Sequence, residues 1–530
     1  MGYTLDSETD CMQEFRISFH SGQEKEETFL DSLKTLAERE KEETYSYESI
    51  CHRAENWWKK YWERSYIFIP GEGFRISRNY TLFRYMMGCN AMGTYPTKFN
   101  GGLFTTDACY SVGEEHKGKT PDFRMWGGGS FTAQNQRLLY WGMLKSGDFD
   151  MMHQQFDYYS RLTKNAELRT KAYWGHGGCS FTEQLENIGL PILWNWGFRK
   201  TNDAFHLRPE HFDPTEQRGH WIKYLYSTQL EFAFMILEYY RYCKEDIRAY
   251  IPFIESCVQF YFEHYRMLNF QNACKEYDEN GKLVIFPSTV LETYKNACNP
   301  IDAVAALRAV VGALLQLPQY VDTEYYRELY EHIPELPKGT WKGKEILAPA
   351  EFWKGKINCE IPQLYPVFPY RFYGVGKENL EVAVHTWQSI PDDSDQKKHV
   401  SWHQDGIFAA CMGLAEEART QIERKLDDSG RRFPAFWGPG HDWVPDHNWG
   451  GSGAIALQEM LVQESDGCIY LFPAWPKEWD VECKLHLPGG RTICMAKKGD
   501  QIQYELTGEK AREIINCLDH RRMEDRDEQH

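Results

Sequence analysis

LEFAFMILEYY, residues 230–240, is apolar on every face of a helix. Widened to residues 221–242 the stretch carries Leu225, Leu230, Phe232, Phe234, Met235, Ile236, Leu237 and Tyr240, and the spacing predicts a helix enclosed on all sides. The next stretch, residues 246–266, reads differently. Ile247, Tyr250, Ile251, Ile254, Cys257, Val258, Tyr261 and Tyr265 recur at three- and four-residue steps, one apolar stripe with the opposite face left to water. An enclosed helix followed by a half-exposed one is the pattern of two concentric helical rings. Shorter pairs repeat it at residues 132–145 with 149–163 and at 380–388 with 401–416, at a period too irregular for a solenoid. The expected fold is mainly α, an (α/α)6 helical toroid spanning residues 71–465.

Outside that span the texture changes. Residues 1–70 read as an N-terminal extension, with a short strand at 15–19 and a charged helical stretch at 24–53. A helix at 54–64 places Trp57, Trp58, Tyr61 and Trp62 on one face. Beyond residue 466, the runs 468–472, 481–487, 491–496 and 501–506 alternate apolar and polar residues. Pro488-Gly489-Gly490 and Lys498-Gly499-Asp500 turns divide them, so residues 466–515 read as a small C-terminal antiparallel β domain. Residues 516–530 form a charged tail.

Composition removes several function classes. The net charge of −17 comes with no basic block, which argues against nucleic acid and anionic membranes as partners. No run approaches the ~20 apolar residues of a membrane span. The first residues show no apolar signal region, so the chain as written reads as cytoplasmic, or as periplasmic or secreted if it is part of a longer precursor. Fifteen cysteines without any C-x-x-C spacing read as reduced thiols, and no metal site is expected. A His441, Asp442, Asp446, His447 cluster lacks the further ligand pair a metal needs. There is no phosphate loop and no dinucleotide fingerprint, hence no cofactor. Most of the 18 Trp and 32 Tyr fill a core, but those in Trp-rich loops at 194–196 and 437–449, Trp449 among them, suit stacking on sugar faces.

Two loops about 150 residues apart each set one acidic residue ahead of an apolar helix. The first is Phe286-Pro287-Ser288-Thr289-Val290-Leu291-Glu292, followed by Asn299 and Pro300 as N-cap and first residue of a helix from Ile301. The second is Trp443-Val444-Pro445-Asp446-His447-Asn448-Trp449-Gly450, with Ser452 expected to cap the helix and Asp446 left as a solvated carboxylate. In a ring of helices, loops ahead of equivalent helices meet at one mouth, where Glu292 and Asp446 would face each other as the acid pair of a glycosidase. The apolar neighbours of Glu292 would raise its pKa, as suits an acid that must keep its proton. Ser180-Phe181-Thr182-Glu183 has capping-box spacing, and the Gly175-His176-Gly177-Gly178 turn before it would bring His176 and Glu183 towards substrate. Asn135 follows Gly127-Gly128-Gly129 near a helix start, where an amide can hold a water or a sugar hydroxyl. Arg124, Trp126 and Arg137 are weaker candidates of the same kind.

These blocks resemble glycoside hydrolase family 95, the inverting α-L-fucosidases and galactosidases. Pro445-Asp446-His447-Asn448-Trp449-Gly450, Glu459-Met460-Leu461 and Leu471-Phe472-Pro473-Ala474-Trp475-Pro476 are similar to its I-D-G-N-F-G, E-M-L and L-L-P-A-L-P succession. Pro287-Ser288-Thr289 to Glu292 is similar to its P-S-x-S-P-E-N. Residues 361–369 resemble its L-S-H-L-Y-G-L-Y-P, with Gln363 at the histidine, and residues 93–101 resemble its P-G-T-L-P-x-x-L-Q-G. The blocks keep the family's order over roughly residues 50–510. The resemblance implies Asp446 as general base, Glu292 as general acid, and Asn135 and Gln363 among the substrate-binding groups. The family's N-I-N-x-Q-M-N-Y-W run appears as residues 133–141, where Ala133 replaces the first asparagine and only the second survives, as Asn135. The chain departs from the family further in lacking its large N-terminal β-sandwich, and in Gln363 and His447.

The expected function is therefore release of a terminal sugar from an oligosaccharide or polysaccharide by inversion, without a cofactor. Two alternatives remain at this level: a phosphorylase on the same toroid, for which only the isolated Arg124, Arg137 and Arg199 are visible, and a non-catalytic glycan-binding protein. The sugar and the oligomeric state are not encoded legibly.

Overall fold

The computed structural model describes residues 20, 24–39, 46–91, 93–101, 131–189, 222–440 and 444–519. The expected strand at 15–19, Arg124, Trp126, residues 194–196, Arg199, His441, Asp442 and residues 520–530 of the tail lie outside them. The chain divides into two compact units, residues 1–63 and 64–530. The first holds α1 (Glu26–Arg39) and nearly all of α2 (Tyr47–Arg64). Along α2, Trp57 stacks on Tyr61 and Trp58 on Trp62, with ring centroids 5.1 and 5.7 Å apart, because residues four apart share a helix face.

In the second unit the chain order is α3 (Phe74–Cys89), α4 (Ala133–Ser146), α5 (Phe149–Trp174), α6 (Ser227–Cys243), α7 (Ile251–Ala273), α8 (Ile301–Leu314), α9 (Thr323–His332), α10 (Leu380–Ser389), α11 (Asp405–Cys411), α12 (Ala415–Lys425) and α13 (His447–Leu461). They fall into two kinds. Every residue of α11 is buried, α13 buries all but Trp449, and α4 all but Asn135 and Gly142. By contrast α9 buries only Tyr326 and Leu329, and α12 only Ala418, Ile422 and Lys425. The enclosed helix expected at 221–242 is α6, and the one-sided helix after it is α7.

The enclosed helices touch in succession. α13 packs on α4, α4 on α6, α6 on α8, α8 on the 3-10 turn Pro362–Leu364, and α11 on α13. Side chains of α8 such as Val304, Leu307, Val310 and Val311 are fully buried, each worth roughly 1.5–3 kcal/mol. Glycine sets the closest approach. A Cβ on Gly451 of α13 would lie 2.3 Å from the Leu138 carbonyl oxygen of α4, and one on Gly142 would lie 3.5 Å from Ile455. Contacts at 138 with 451 and at 142 with 455 advance together, so α4 and α13 run parallel and begin at the same end.

Several local expectations are corrected. The helix expected at 401–416 is α11 and α12, separated by Gly413 at φ +78°, a backbone conformation that suits glycine. The expected order of kinds is also reversed there, since α10 buries only Val382, Ala383, Thr386 and Trp387 while α11 is buried throughout. Asn299 does not cap α8. It sits at φ +51° and its Oδ1 accepts from the Ile285 amide at 2.8 Å, which leaves Pro300 as the N-cap. Ser452 does not cap α13 either, because Asp446 does.

The C-terminal runs are strands within one residue or two of expectation. Val481–Leu487, Arg491–Lys498 and Gln501–Thr507 pair antiparallel, and Tyr66–Phe68 joins the edge of that sheet beside Val481–Leu487. Burial alternates along Val481–Leu487 and Arg491–Lys498, one face inward and one outward. A second sheet departs from the all-antiparallel expectation. Cys468–Leu471 pairs antiparallel with Val462–Ser465 but parallel with Glu513–Asn516, a strand within the expected domain and the start of the expected tail. Among the described residues no helix is long and apolar enough to cross a membrane.

Candidate active site

The first turns of the enclosed helices are tied to one another by side chains. Glu183 accepts from the Gln134 backbone N–H of α4 through Oε1, and from the Thr228 hydroxyl of α6 through Oε2 at 3.3 Å. No helix begins at Ser180, so the capping-box reading is corrected. Glu183 does satisfy a helix N-terminus, but that of α4, reached through tertiary structure. Ser227 at the start of α6 donates to Asp302 in the first turn of α8.

Glu292 occupies the turn between the strands Ser288–Val290 and Tyr294–Ala297. Leu291 takes φ +44°, unusual for a branched residue, and its amide donates to Asp302 at 3.4 Å. The turn is therefore held from α8. Glu292 is half-buried, and Asn358 Nδ2 donates to its Oε2 at 3.4 Å. Its pKa is raised well above the carboxylate range by burial and then by the like charges of Glu183 and Glu360, against the opposing pull of Arg137.

Arg137 of α4 is the hub of this cluster. It lies 3.5 Å from Glu231 and 3.6 Å from Glu360, and over the Tyr365 ring at 5.1 Å. Gln134 Nε2 donates to Glu360 at 2.6 Å. Burial pushes Glu183 up to about 8 and Glu360 up to about 7, with Arg137 and Gln134 pulling both down. Gln363 donates to the Tyr294 hydroxyl at 3.2 Å, two residues from Glu292. Glu292, Glu183 and Gln363 thus belong to one cluster, to which the structure adds Glu360, Gln134, Glu231 and Asp302.

Asp446 anchors a second cluster. It is 1% exposed, so the solvated carboxylate expected from sequence is corrected. Oδ1 accepts from the Asn448 and Trp449 amides at 3.0 and 3.4 Å, and Oδ2 from the Ser401 hydroxyl at 2.6 Å. Burial raises its pKa to about 6, against these donors and the nearby Lys425. Lys425 is itself buried and donates to the carbonyls of His399, Ser401 and His403; burial lowers it to about 7. Trp449 is half-buried with its indole N–H on the Lys425 carbonyl at 2.7 Å. Asn135, in the first turn of α4, shares this end of the molecule because α4 and α13 run parallel.

A chain of contacts connects the two clusters. Asn358, the partner of Glu292, accepts from the Cys359 amide at 2.8 Å; Cys359 Sγ lies 3.7 Å from His403 Nε2; and His403 Nδ1 lies 3.5 Å from Asp405. His176 belongs to neither. Its ring meets His264 at 3.0 Å within a box of Trp174, Tyr226 and Phe260, where burial lowers the pKa of both histidines. Among the described residues no three His, Cys, Asp or Glu side chains form a group that could hold a metal ion.

Glu360 stands immediately before the block at 361–369, and Gln134 lies within the block around Asn135, so a reading of those blocks beyond their matched positions could have found both. Ser401 and Lys425 carry no local signal.

Residues 1–67 match a family described as a domain of unknown function (DUF5703). No curated protein matches the chain. Among solved structures, a protein described as a kojibiose phosphorylase from the human microbiome superposes with a TM-score of 0.53 at 12% identity, over 92% of this chain and 65% of its own. The chain therefore spans less than two thirds of that relative, and the likeness is one of fold. A glycosidase variant in complex with glucose gives 0.44 at 12% identity over 72% of this chain and 97% of its own, and the wild-type glycosidase 0.39 at 12% identity with the same coverage.

Proposed function

We propose that the succession of α13, α4, α6, α8, the Pro362–Leu364 turn and α11 is the inner ring of an (α/α)6 toroid, and that the chain is a carbohydrate-active enzyme cleaving a glycosidic bond with inversion. The observation that carries this reading is Glu292. It is half-buried on the turn that Leu291 opens with a left-handed backbone, and burial with two neighbouring carboxyls raises its pKa well above the ordinary carboxylate value, the direction a general acid requires. In the reaction, Glu292 gives its proton to the glycosidic oxygen as the bond from that oxygen to the anomeric carbon breaks. A water on the opposite face loses a proton to Asp446 as its oxygen bonds to that carbon, with Asn135 beside it. Aspartate and glutamate suffice, and no cofactor takes part. The resemblance of the sequence blocks makes a terminal fucose or galactose the first sugars to test.

One observation favours a second reading. Asp446 is buried and already accepts three hydrogen bonds, which leaves it little freedom to hold a water. A phosphorylase needs no base, since phosphate itself attacks. A single experiment separates the two: aryl α- and β-glycosides of fucose, galactose, arabinose and rhamnose incubated with and without inorganic phosphate, with products followed by proton NMR. Hydrolysis predicts a free sugar of inverted anomeric configuration in both conditions. Release of a sugar phosphate only when phosphate is present would replace the water, and a first product of retained configuration would remove the inverting mechanism.

A further inference from the structure

Between α5 and Glu183 the chain runs along α7, and its contacts step along that helix. The Gly177 amide donates to Glu263 at 2.6 Å. Gly178 sits at φ +81°, and a Cβ there would lie 2.2 Å from the Phe260 backbone nitrogen, so glycine alone permits the approach. The Cys179 amide then donates to the Ser256 carbonyl at 3.0 Å. That bond ends on the residue before Cys257, so covalent geometry keeps the Cys179 and Cys257 Cα atoms within about 7 Å of each other. Their sulfurs lie 3.5 Å apart, and both residues are 0% exposed. The two cysteines stand 78 positions apart in the chain, a separation that no spacing pattern marks.

A disulfide spans Cα atoms roughly 4.4–6.8 Å apart and needs sulfurs that can close to about 2.05 Å. The backbone hydrogen bond brings the Cα atoms to that reach, and the two side chains already point at each other. We propose that Cys179 and Cys257 are the site of a disulfide that fastens the segment leading to Glu183 onto α7. The other side of that segment is held by α6, where Gln229 Nε2 donates to the Cys179 carbonyl at 2.7 Å and Gln229 Oε1 accepts from the Phe181 amide at 2.9 Å. The bond therefore locks the segment between two helices. The oxidant is a small disulfide such as oxidised glutathione. One cysteine thiolate attacks it, forming a mixed disulfide and releasing one glutathione. The second thiolate attacks the protein sulfur of that intermediate, forming the Cys179–Cys257 bond and releasing the other glutathione. Two electrons pass from the cysteines to the oxidant, and the two thiol protons end on the departing glutathiones. Burial pushes the Cys257 thiol well above its ordinary range and closes the pair to a bulky reagent, so the exchange belongs to the unfolded or locally opened chain. None of this depends on the role of Glu292.

The test is a peptide map of the full chain. One sample is unfolded in urea and refolded in equal concentrations of reduced and oxidised glutathione, and a second is kept folded in the same buffer until its thiol content is constant. Both are alkylated, digested without reduction and read by mass spectrometry. A linked peptide joining Cys179 to Cys257 is expected as the main disulfide in both samples, formed sooner in the refolded one. The folded sample reads the result if refolding fails. The linked protein is expected to melt about 2–5 °C above its own reduced form, because the bond closes a long loop in the unfolded chain. Cys257→Ala should show no such difference between oxidising and reducing buffers, and Cys179→Ala serves if that variant does not fold. Alkylation of both cysteines in both samples, or links scattered over other cysteines, would overturn the proposal. So would a linked protein that melts below its reduced form, since the bond would then distort the native contact.

Discussion

Glu292 shows how far a single residue can be read. Its apolar sequence neighbours predict a raised pKa, and burial does contribute first, but the like charges that add to it come from Glu183 and Glu360, respectively 109 positions before it and 68 after it in the chain. Glu292→Gln is expected to slow cleavage of natural glycosides by about 10²–10⁴-fold and to spare aryl glycosides whose leaving group needs no proton, as measured by kcat on both kinds of substrate. Equal losses on both would move the acid role elsewhere. Glu183 carries a stability prediction. Its folded pKa, about 8, lies above the ordinary carboxyl value of 4.5, so the folded protein binds this proton more tightly than the unfolded chain does. Its contribution is complete below about pH 4.5 and is lost as pH rises through about 8. Glu183→Gln cannot ionise, so its melting temperature relative to wild type is expected to rise steadily from pH 5 to pH 8. A difference that stays flat would place Glu183 in a more solvated setting.

At the scale of elements, the informative helix is α13. Its sequence marks the apolar core correctly and misplaces its start, because Ser452 satisfies the local cap pattern while Asp446 has the geometry. Ser452 lies inside the helix and donates to the Asn448 carbonyl at 2.7 Å. Asp446→Ala is expected to cost about 0.5–2 kcal/mol through the lost cap, whereas Asp446→Asn keeps an oxygen for the Asn448 amide and should melt near wild type. Under the inverting reading both lose nearly all activity. Urea unfolding and kcat measured together separate the cap from the base: activity retained in Asp446→Asn would assign the residue to the cap alone. The pairing of α4 with α13 gives a second contrast. Gly451→Ala would drive a Cβ to within 2.3 Å of a backbone oxygen that cannot yield, so a loss of about 1–3 kcal/mol or more is expected. Gly142→Ala meets only ordinary contacts at 3.5 and 3.7 Å and replaces a helical glycine, so it is expected to be neutral or to stabilise by up to about 1 kcal/mol. Similar losses in both would show that α4 and α13 approach less closely than this.

Across the whole molecule, the proposed chemistry uses carboxyl groups alone, so dialysis against EDTA is expected to leave the rate of glycoside cleavage unchanged; a loss restored by a divalent cation would assign a metal role. The sequence by itself determined the kinds of α6 and α7 and four of the C-terminal strands, because periodicity of 3.6 or 2 is a local property that burial imposes on an element. It also foretold the raised pKa of Glu292, since the residues beside it are themselves apolar. Tertiary structure decided the rest. Asp446 became a buried cap because Ser401 and Lys425, from another segment, close over it. Glu183 found α4 rather than a helix of its own, and Gln134, Arg137 and Glu360 gathered beside Glu292 from segments more than 200 residues apart. Which polar groups share one desolvated volume depends on how helices pack, and no local pattern in the chain records that.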